Sequence, residues 1–388
     1  MRIGFVSDAY VPVPTGVAVS IETLRVALER LGHTVYIFAP KYPGFRDTNP
    51  RVARFPAIFS SSEKYRPKAW PVFTSINGNR ILKLKLDIVH SHYFFDLFDF
   101  APQIARSAKV PLVHTFYRIF PESERKKSFF GSPQRNAEKA LNKTIQYANK
   151  CDSIVSLSKN SKKYLEDLQI STPIENIPIG IFPKDFTSLP TQAIHEKFNI
   201  PQTEKLILFV GRLDDESNFN LLLKSFKKVW MAIEEVHLLI IGGGKNLGFY
   251  QQQAAAQPFG KFITFTGYMA KNKVNKIFGG ADVFVYPKKL DPEPLVILES
   301  LASGTPVVSV SGFGAQEYVT HNVNGLVTAA NENDFADSII ELLRRDKMRL
   351  DFSLRARSHA RQFTSSNLTR DLVNLYDSQI ENHKNKIL

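Results

Sequence analysis

Two carboxylates, Asp291 and Glu299, stand with seven residues between them, downstream of an apolar run typical of a buried strand. Asp291 falls in an acidic loop, and a helix predicted to begin near Pro294 carries Glu299 about one turn inside it. Carboxylates so placed can accept hydrogen bonds from sugar hydroxyls, while the amides at the start of the helix attract a diphosphate. Alternatively, Glu299 decorates a solvated helix face. The apolar run 295–298 favours a buried helix, in which a glutamate needs a partner.

A cation and a glycine lie where two other predicted strands lead into helices. Arg212 could hold a diphosphate through its planar guanidinium, or it could be a surface residue paired with Asp214 or Asp215. Gly16 is small enough to let backbone amides approach a phosphate, although Thr15 followed by Gly16 is also an ordinary helix start. Each segment taken alone leaves both interpretations open.

The remaining polar motifs indicate structure rather than chemistry. We expect His90 and His92 on opposite sides of a strand end, a poor geometry for binding one metal ion. The adjacent Asp214 and Asp215 make no convincing metal pair, and the three glycines 242–244 predict a tight turn from strand to helix. The sequence therefore predicts no metal site.

The elements that position these residues follow from the hydrophobic pattern. Apolar residues recur at spacings of three and four over 17–31, which predicts a helix ended by Gly32. Short apolar runs typical of buried strands alternate with helical segments along the chain, at 3–7, 35–39, 87–90, 112–114, 153–157, 206–210, 236–241, 262–265, 282–286 and 305–310. A further helix is predicted over 218–229. This alternation predicts an α/β protein with mostly parallel sheets.

Residues 182–203 are rich in proline, threonine and polar residues with little periodicity, which favours a linker. We therefore predict two Rossmann-like, doubly wound domains that face a cleft. The first domain spans residues 1–190 and the second spans 191–365. A last helix over 366–388 is expected to pack back toward the first domain. Ligands of such sheets bind at the carboxyl ends of the strands.

The composition limits the function classes. The chain has 388 residues, 43% hydrophobic and 22% charged, which is typical of a globular protein. The single cysteine, Cys151, excludes a disulfide scaffold and a cysteine-built metal site, and it fits a reducing compartment such as the cytoplasm. No run approaches the roughly 18 apolar residues of a membrane span, and the first residues turn polar too soon for a signal peptide.

The net charge of +13 is concentrated in the first half. Residues 1–190 hold 27 Lys and Arg against 16 Asp and Glu, whereas the remainder is close to balanced, at 23 against 21. Such an excess favours an anionic partner, lipid or nucleic acid, or else it is only a solvated basic face. A basic and aromatic run in the first half is the candidate membrane patch: Arg125, Lys126, Lys127, Phe129 and Phe130.

Taken together, these motifs resemble glycosyltransferase family four, whose members are retaining enzymes of the two-domain GT-B architecture. The resemblance covers nearly the whole chain, and the segments fall in family order. They are 7–10 (SDAY), 15–17 (TGV), 87–92 (DIVHSH), 113–115 (VHT), 177–180 (IPIG), 210–213 (VGRL), 281–284 (ADVF), Glu299 and 303–308 (SGTPVV). The opening GVAVSI at 16–21 and the basic first domain look most like bacterial 1,2-diacylglycerol 3-glucosyltransferases.

The resemblance implies roles for matching positions. Gly16 would lie against the donor diphosphate, Arg212 would neutralise it as the bond to the sugar breaks, and Glu299 would hold the ribose hydroxyls. Asp291 stands where the family usually has a glutamate against the hexose. Backbone groups would complete the donor site, near Tyr268 for the base and at Leu295 and Val296 for the phosphate.

The chain departs from the family pattern at four positions. Ser217 replaces the phosphate-binding lysine, Tyr117 replaces a histidine, Pro294 replaces a glycine, and Asp291 is one methylene shorter than the usual glutamate. A phenol donates a hydrogen bond but cannot replace imidazole as a proton carrier near pH 7. We keep Asp291, Arg212 and Tyr117 as catalytic positions and Ser217 as a donor-binding one. Nearby cations are candidates to restore the missing charge, namely Lys288, Lys289 and Arg118.

The resemblance thus implies a retaining hexosyltransferase that moves glucose from a UDP-sugar to a lipid acceptor such as diacylglycerol. We expect a cytoplasmic protein, peripheral on an anionic inner membrane face, with no metal or other cofactor and no nucleic-acid partner. One alternative is a GT-B scaffold with a degenerate donor site that serves as a binding protein. Another is an active enzyme with a soluble or polysaccharide acceptor. The residues carry no indication of the oligomeric state.

Overall fold

The computed structural model describes residues 1–13, 15–60, 63–69, 80–92, 100–120 and 133–387. The chain divides into two compact units, Met1–Gly180 with Ser365–Leu388, and Ile181–Thr364. Each unit contains a parallel sheet flanked by helices, so the predicted α/β class with two Rossmann-like domains is confirmed. Among the described residues, no helix is both long enough and apolar enough to cross a membrane.

The first unit is built on a seven-stranded parallel sheet in the order β3-β2-β1-β6-β7-β8-β9. Its strands are β1 Arg2–Ser7, β2 Thr34–Pro40, β3 Val52–Phe55, β6 Ile88–His92, β7 Leu112–Thr115, β8 Ser153–Ser156 and β9 Ile174–Asn176. A separate antiparallel pair joins β4 Ala57–Ser60 to β5 Glu63–Ala69. The helices described here are α1 Gly16–Arg30, α2 Phe100–Ala108, α3 Pro133–Ala148 and α4 Lys159–Asp167.

Helix α1 shows how the sequence positions a loop at the end of β1. Thr15 caps the helix, because its side chain accepts a hydrogen bond from the amide of Ala18 at 3.2 Å. The helix buries the predicted apolar face, including Ile21 and Leu28. Gly32 follows the end of the helix with φ of +86°, a left-handed conformation that favours glycine.

The second unit is built on a six-stranded parallel sheet in the order β12-β11-β10-β13-β14-β15. Its strands are β10 Lys205–Val210, β11 Val236–Ile241, β12 Ile263–Phe265, β13 Val283–Tyr286, β14 Val307–Val310 and β15 Gly325–Thr328. Its helices are α5 Thr191–Phe198, α6 Phe219–Ala232, α7 Leu247–Ala255, α8 Lys271–Val274, α9 Leu295–Ser303, α10 Ala315–Tyr318, α11 Glu332–Arg344 and α12 Asp346–Ala360.

Strand β10 shows that both faces of this sheet are covered. Ile207 and Phe209 enter one hydrophobic core, whereas Leu206 and Leu208 enter another. Because side chains alternate along a strand, the two cores lie on opposite faces of the sheet. This explains the nearly continuous apolar runs that the sequence shows.

The segment predicted as a linker, 182–203, contains regular structure. It contains α5, whose Ile194 is completely buried in a core with Phe278. The amide of Leu189 also donates to the carbonyl of Lys276 at 2.8 Å, which ties this segment to the second unit. An eight-residue helix is too short to show convincing periodicity in a proline-rich context.

The last helix, α13 Ser365–Ile387, belongs to the first unit. Tyr376 of this helix is completely buried, and its hydroxyl lies 2.5 Å from Nδ1 of His90 in β6. The structure therefore divides the chain after Gly180 and Thr364, against predicted boundaries at 190 and 365.

Candidate functional site

Glu299 is a buried carboxylate of the second unit. Its side chain, in the middle of α9, is only 3% exposed. Oε1 forms an ion pair with Nζ of Lys271, which is 42% exposed at the start of α8. Oε2 is buried and has no hydrogen-bond partner in the described part of the chain. A buried acceptor of this kind is costly unless something pairs with it, so this oxygen is a candidate contact for a ligand.

Sequence reasoning missed Lys271. The prediction that a buried Glu299 needs a partner is confirmed, but the partner lies 28 residues earlier in the chain. The only available signal was a basic residue shortly after Tyr268, in a segment between two predicted strands. The tertiary structure brings Lys271 to Glu299, and the spacing of the residues along the chain does not reveal this.

Asp291 lies in the loop that leads from β13 to α9 and is half-buried. Its Oδ2 accepts a hydrogen bond from the hydroxyl of Tyr286 at 2.5 Å, and Oδ1 accepts one from the amide of Glu293 at 3.0 Å. Burial, with the Asp291 charge beside it, raises the pKa of Tyr286 well above its usual value. Both carboxylate oxygens of Asp291 are thus engaged, one by the end of β13 and one by its own loop.

The start of α9 offers fewer amides than the resemblance implies. Pro294 precedes the helix and has no N–H to give. The amide of Leu295 donates to the carbonyl of Glu293 at 2.9 Å. Val296 lies in the first turn, where a helix supplies no acceptor for its amides. Of the two predicted phosphate-binding amides, that of Val296 fits the role better.

Arg212 lies just after β10, with its side chain 53% exposed. Its Nε forms an ion pair with Oδ2 of Asp214 at 3.0 Å, one of the two pairings that the sequence left open. Ser217 is completely buried, and its hydroxyl donates to the carbonyl of Asp214 at 2.6 Å. Arg212 is therefore accessible to a ligand, whereas the Ser217 hydroxyl points into the protein interior.

The loops that follow β10, β11 and β13 meet at one edge of the sheet, because these strands run parallel. The amide of Leu213 donates to the carbonyl of Gly243 at 2.9 Å, which joins the first two loops. The side chain of Asn218 donates to the carbonyl of Pro287 at 3.0 Å, which joins the first loop to the third. Lys288 is half-buried and Lys289 is exposed in this third loop.

The three glycines 242–244 form the predicted tight turn after β11. A Cβ at Gly242 would lie 1.9 Å from the carbonyl oxygen of Gly211, and one at Gly243 would lie 2.7 Å from the ring of Tyr268. Because its ring lies so close to Gly243, Tyr268 packs on this turn, and half of its surface stays exposed. The turn brings Tyr268 to the same edge of the sheet as Arg212.

Gly16 of the first unit is exposed at the start of α1. In the described part of the chain, no heavy atom lies within 4 Å of the position a Cβ would take. Packing within the described chain therefore does not require a glycine here, in contrast to Gly242.

The carboxyl ends of β6 and β7 in the first unit carry a cluster of buried histidines. His90 and His92 lie on the same face, with ring centroids 4.1 Å apart, so the expectation of opposite sides is wrong. Residues two apart in a strand share a face. His90 is held by the hydroxyl of Tyr376 at 2.5 Å and that of Thr115 at 2.7 Å.

Tyr117 stands next to this cluster. Its hydroxyl lies 3.3 Å from Nδ1 of His92, while Nε2 of His92 is buried and has no hydrogen-bond partner among the described residues. The guanidinium carbon of Arg118 lies 4.4 Å from the centre of the Phe120 ring. The phenol that replaces the family's imidazole thus has an imidazole beside it.

Burial keeps these histidines neutral. It lowers the pKa of His90 and His92 well below the usual 6.5 and that of His114 to about 3. The neighbouring imidazoles act in the same direction on His90 and His92. Across the described ranges, no group of three or more His, Cys, Asp or Glu side chains could hold a metal ion. The expectation that no cofactor is needed stays a prediction.

The candidate membrane patch lies outside the described residues. Its members are Arg125, Lys126, Lys127, Phe129 and Phe130.

Two family models match the chain in succession. Residues 14–184 match the family described as Glycosyltransferase Family 4, and residues 190–359 match Glycosyl transferases group 1. The two matches together cover most of both structural units.

Two curated relatives carry the same name, alpha-monoglucosyldiacylglycerol synthase. The one from Streptococcus pneumoniae (strain ATCC BAA-255 / R6) is 27% identical over 371 residues, covering 88% of this chain and 82% of the relative. The one from Acholeplasma laidlawii is 26% identical over 343 residues and covers 86% of each.

Solved structures show the same fold. A sucrose-phosphate synthase from Thermosynechococcus elongatus superposes with a TM-score of 0.81 at 19% identity, over 97% of this chain and 98% of its own. Anabaena Alr3699/HepE, solved in complex with UDP and glucose, has a TM-score of 0.76 at 15% identity, over 97% and 100%. At these identities the likeness establishes the two-domain GT-B fold.

Proposed function

Because the chain belongs to the glycosyltransferases that join a Family 4 domain to a group 1 domain, and is thus a hexosyltransferase, we propose that it transfers glucose from UDP-glucose to diacylglycerol. The relatives named alpha-monoglucosyldiacylglycerol synthase support the sugar and the acceptor. The neighbour solved with UDP and glucose supports the choice of nucleotide.

One observation carries the assignment of the donor to the second unit. Glu299 presents a buried, unpaired carboxylate oxygen within that unit, at the place where the resemblance expects the ribose of the donor. A ribose hydroxyl would supply the hydrogen bond that this oxygen lacks, so binding would remove the cost of leaving it unpaired.

The proposed reaction relies on charge stabilisation and positioning. The bond between the sugar and the diphosphate breaks, and the electron pair goes to the departing UDP, leaving an oxocarbenium-like hexose. Arg212 would neutralise the developing charge, assisted by the dipole at the start of α9. The diphosphate would accept the proton of the acceptor hydroxyl, which attacks from the same face, so retention requires no protein nucleophile.

At the altered positions, the residues of this chain have roles that differ from the usual family pattern. Ser217 is buried, so we propose that Arg212 carries the positive charge that the family shares with a lysine. Tyr117 would orient the acceptor by donating a hydrogen bond. Asp291, held by Tyr286 and the amide of Glu293, would shape the hexose-binding loop.

The lipid acceptor implies work at a membrane surface. We propose that the protein lies on the inner face of the cell membrane, where its basic first half faces anionic lipid. Each basic side chain near such a surface contributes about 1 kcal/mol. The names of the relatives and the charge of residues 1–190 support this placement.

The test is a transfer assay with a panel of nucleotide sugars, with and without diacylglycerol vesicles. We expect glucolipid from UDP-glucose only with vesicles, at the same rate in EDTA, since no metal takes part in the proposed step. Transfer to a soluble saccharide alone would contradict the lipid acceptor. Loss of activity in EDTA would contradict a metal-free step. A wild type that neither binds nor consumes any donor would contradict the catalytic assignment.

A further inference from the structure

We propose that Lys271 is a positioning residue for the donor: it fixes the Glu299 carboxylate so that Oε2 accepts a hydrogen bond from a ribose hydroxyl. The inference rests on the proposed function, because the ribose belongs to the UDP-sugar. It assigns a selectivity role to a residue that the sequence motifs do not include.

The geometry of the ion pair defines this role. A carboxylate has two oxygens, and the ammonium of Lys271 forms an ion pair with Oε1 of Glu299. The other oxygen, Oε2, is buried and unpaired within the described part of the chain. Lys271 therefore sets which oxygen is presented, and it fixes the rotation of the carboxylate about its last torsion.

The burial of the two partners differs in a way that suits a binding site. Glu299 is 3% exposed, whereas Lys271 is 42% exposed. An ionised carboxylate in so dry a place is costly without a cation, whereas the lysine can keep part of its hydration. Lys271 thus offsets the cost of burying the carboxylate and leaves Oε2 to accept a hydrogen bond from a hydroxyl.

The position of Lys271 also fits the donor site. It lies three residues after Tyr268, which rests on the turn after β11 near the expected base. The short helix α8 therefore joins the predicted base contact to the predicted ribose contact. Lys273, two residues further on, is also exposed and provides a matched control.

The test compares the dissociation constants of UDP and 2′,3′-dideoxy-UDP, measured by calorimetry for the full-length protein. We expect wild type to prefer UDP by at least about tenfold, the size of one hydrogen bond to a charged group. In Lys271→Met the preference should fall to within about threefold, mainly through weaker binding of UDP. Lys271→Arg should retain most of the preference, and Lys273→Met should retain all of it.

Two outcomes would overturn the assignment while leaving the proposed function intact. In the first, Lys271→Met keeps the full preference for UDP. In the second, it weakens the binding of both nucleotides by the same factor, as a general effect of charge would. In a Glu299→Gln background the addition of Lys271→Met should change the preference no further; an additional loss would also contradict the inference. A wild type that binds neither nucleotide would overturn the proposed function as well.

Discussion

Both units bury polar side chains, histidines in strands of the first unit and Glu299 in α9 of the second, but the two groups are satisfied differently. In the first unit, His90 is held by Tyr376 and Thr115, and His114 by Ser91. In the second unit, Glu299 has one oxygen paired with Lys271 and the other unpaired within the described residues. The hydrogen bonds of His90 and His114 close within the protein, although Nε2 of His92 in the same cluster has no partner among the described residues. Glu299 differs in that a charged carboxylate presents the unpaired oxygen, which a ligand hydroxyl can satisfy.

The comparison separates structural from functional burial. Hydrogen bonds that close among protein groups stabilise the fold, so their loss should appear in the free energy of unfolding. A buried acceptor left unpaired destabilises the free protein and gains its partner on binding. Substitutions in the two regions should therefore affect different measurements, and the predictions below run from the largest expected effect to the smallest.

Arg212→Ala should give the largest change. Removing a cation placed at developing charge typically lowers kcat by about 10²–10³-fold, whereas the loss of its ion pair with the largely buried Asp214 should cost about 1–3 kcal/mol of stability. The matched control is Lys245→Ala, which removes an exposed cation that pairs with Asp215. Steady-state kinetics and urea unfolding measure the two effects. Equal activity of the two variants would contradict the role of Arg212.

The stability of the first unit should fall in acid. The pKa of His114 is lowered to about 3, against about 6.5 in the unfolded chain, because burial disfavours imidazolium. Below pH 6.5 the unfolded state therefore binds more protons. The stability is complete above about pH 6.5 and is lost as the pH falls toward 3.

For His114 alone this loss is about 2 kcal/mol at pH 5. Urea unfolding of wild type at pH 7.5 and pH 5 measures the total effect. His114→Gln should lose its share of the pH dependence. An unchanged slope in His114→Gln would contradict the neutral, buried imidazole.

Tyr376→Phe should give the smallest of these effects. It removes the hydroxyl that lies 2.5 Å from Nδ1 of His90, a hydrogen bond whose net contribution to stability is about 1 kcal/mol. Because the cluster is internal to the first unit, the dissociation constant for UDP should not change. Urea unfolding measures the stability and calorimetry measures the dissociation constant for UDP, both on one preparation. A loss of UDP affinity without a loss of stability would contradict a purely structural role for this cluster.

The sequence predicted those parts of the fold that depend on local pattern. Strand β11 has the predicted bounds, since an apolar run interrupted only by His237 stands between Glu235 and the three glycines that begin at Gly242. Helix α1 follows from its apolar spacing and from the cap at Thr15. Helix α5 was missed because its one deeply buried apolar residue, Ile194, stands alone in a polar segment.

The site was less predictable because its pairings join distant segments. Spacing placed Glu299 in a buried helix but could not show that Lys271 reaches it from another loop. The sequence likewise could not decide whether Arg212 pairs with Asp214 or with Asp215, because this depends on the conformation of the loop after β10. The error over His90 and His92 was of another kind, since their spacing already determines that they share one face of the strand.

The most direct test of the account is a crystal structure of the protein grown with millimolar UDP. The account predicts nucleotide on the second unit, with a ribose hydroxyl within hydrogen-bond distance of Oε2 of Glu299 and the diphosphate against Arg212. A nucleotide bound elsewhere, or Oε2 still unpaired beside bound UDP, would contradict it.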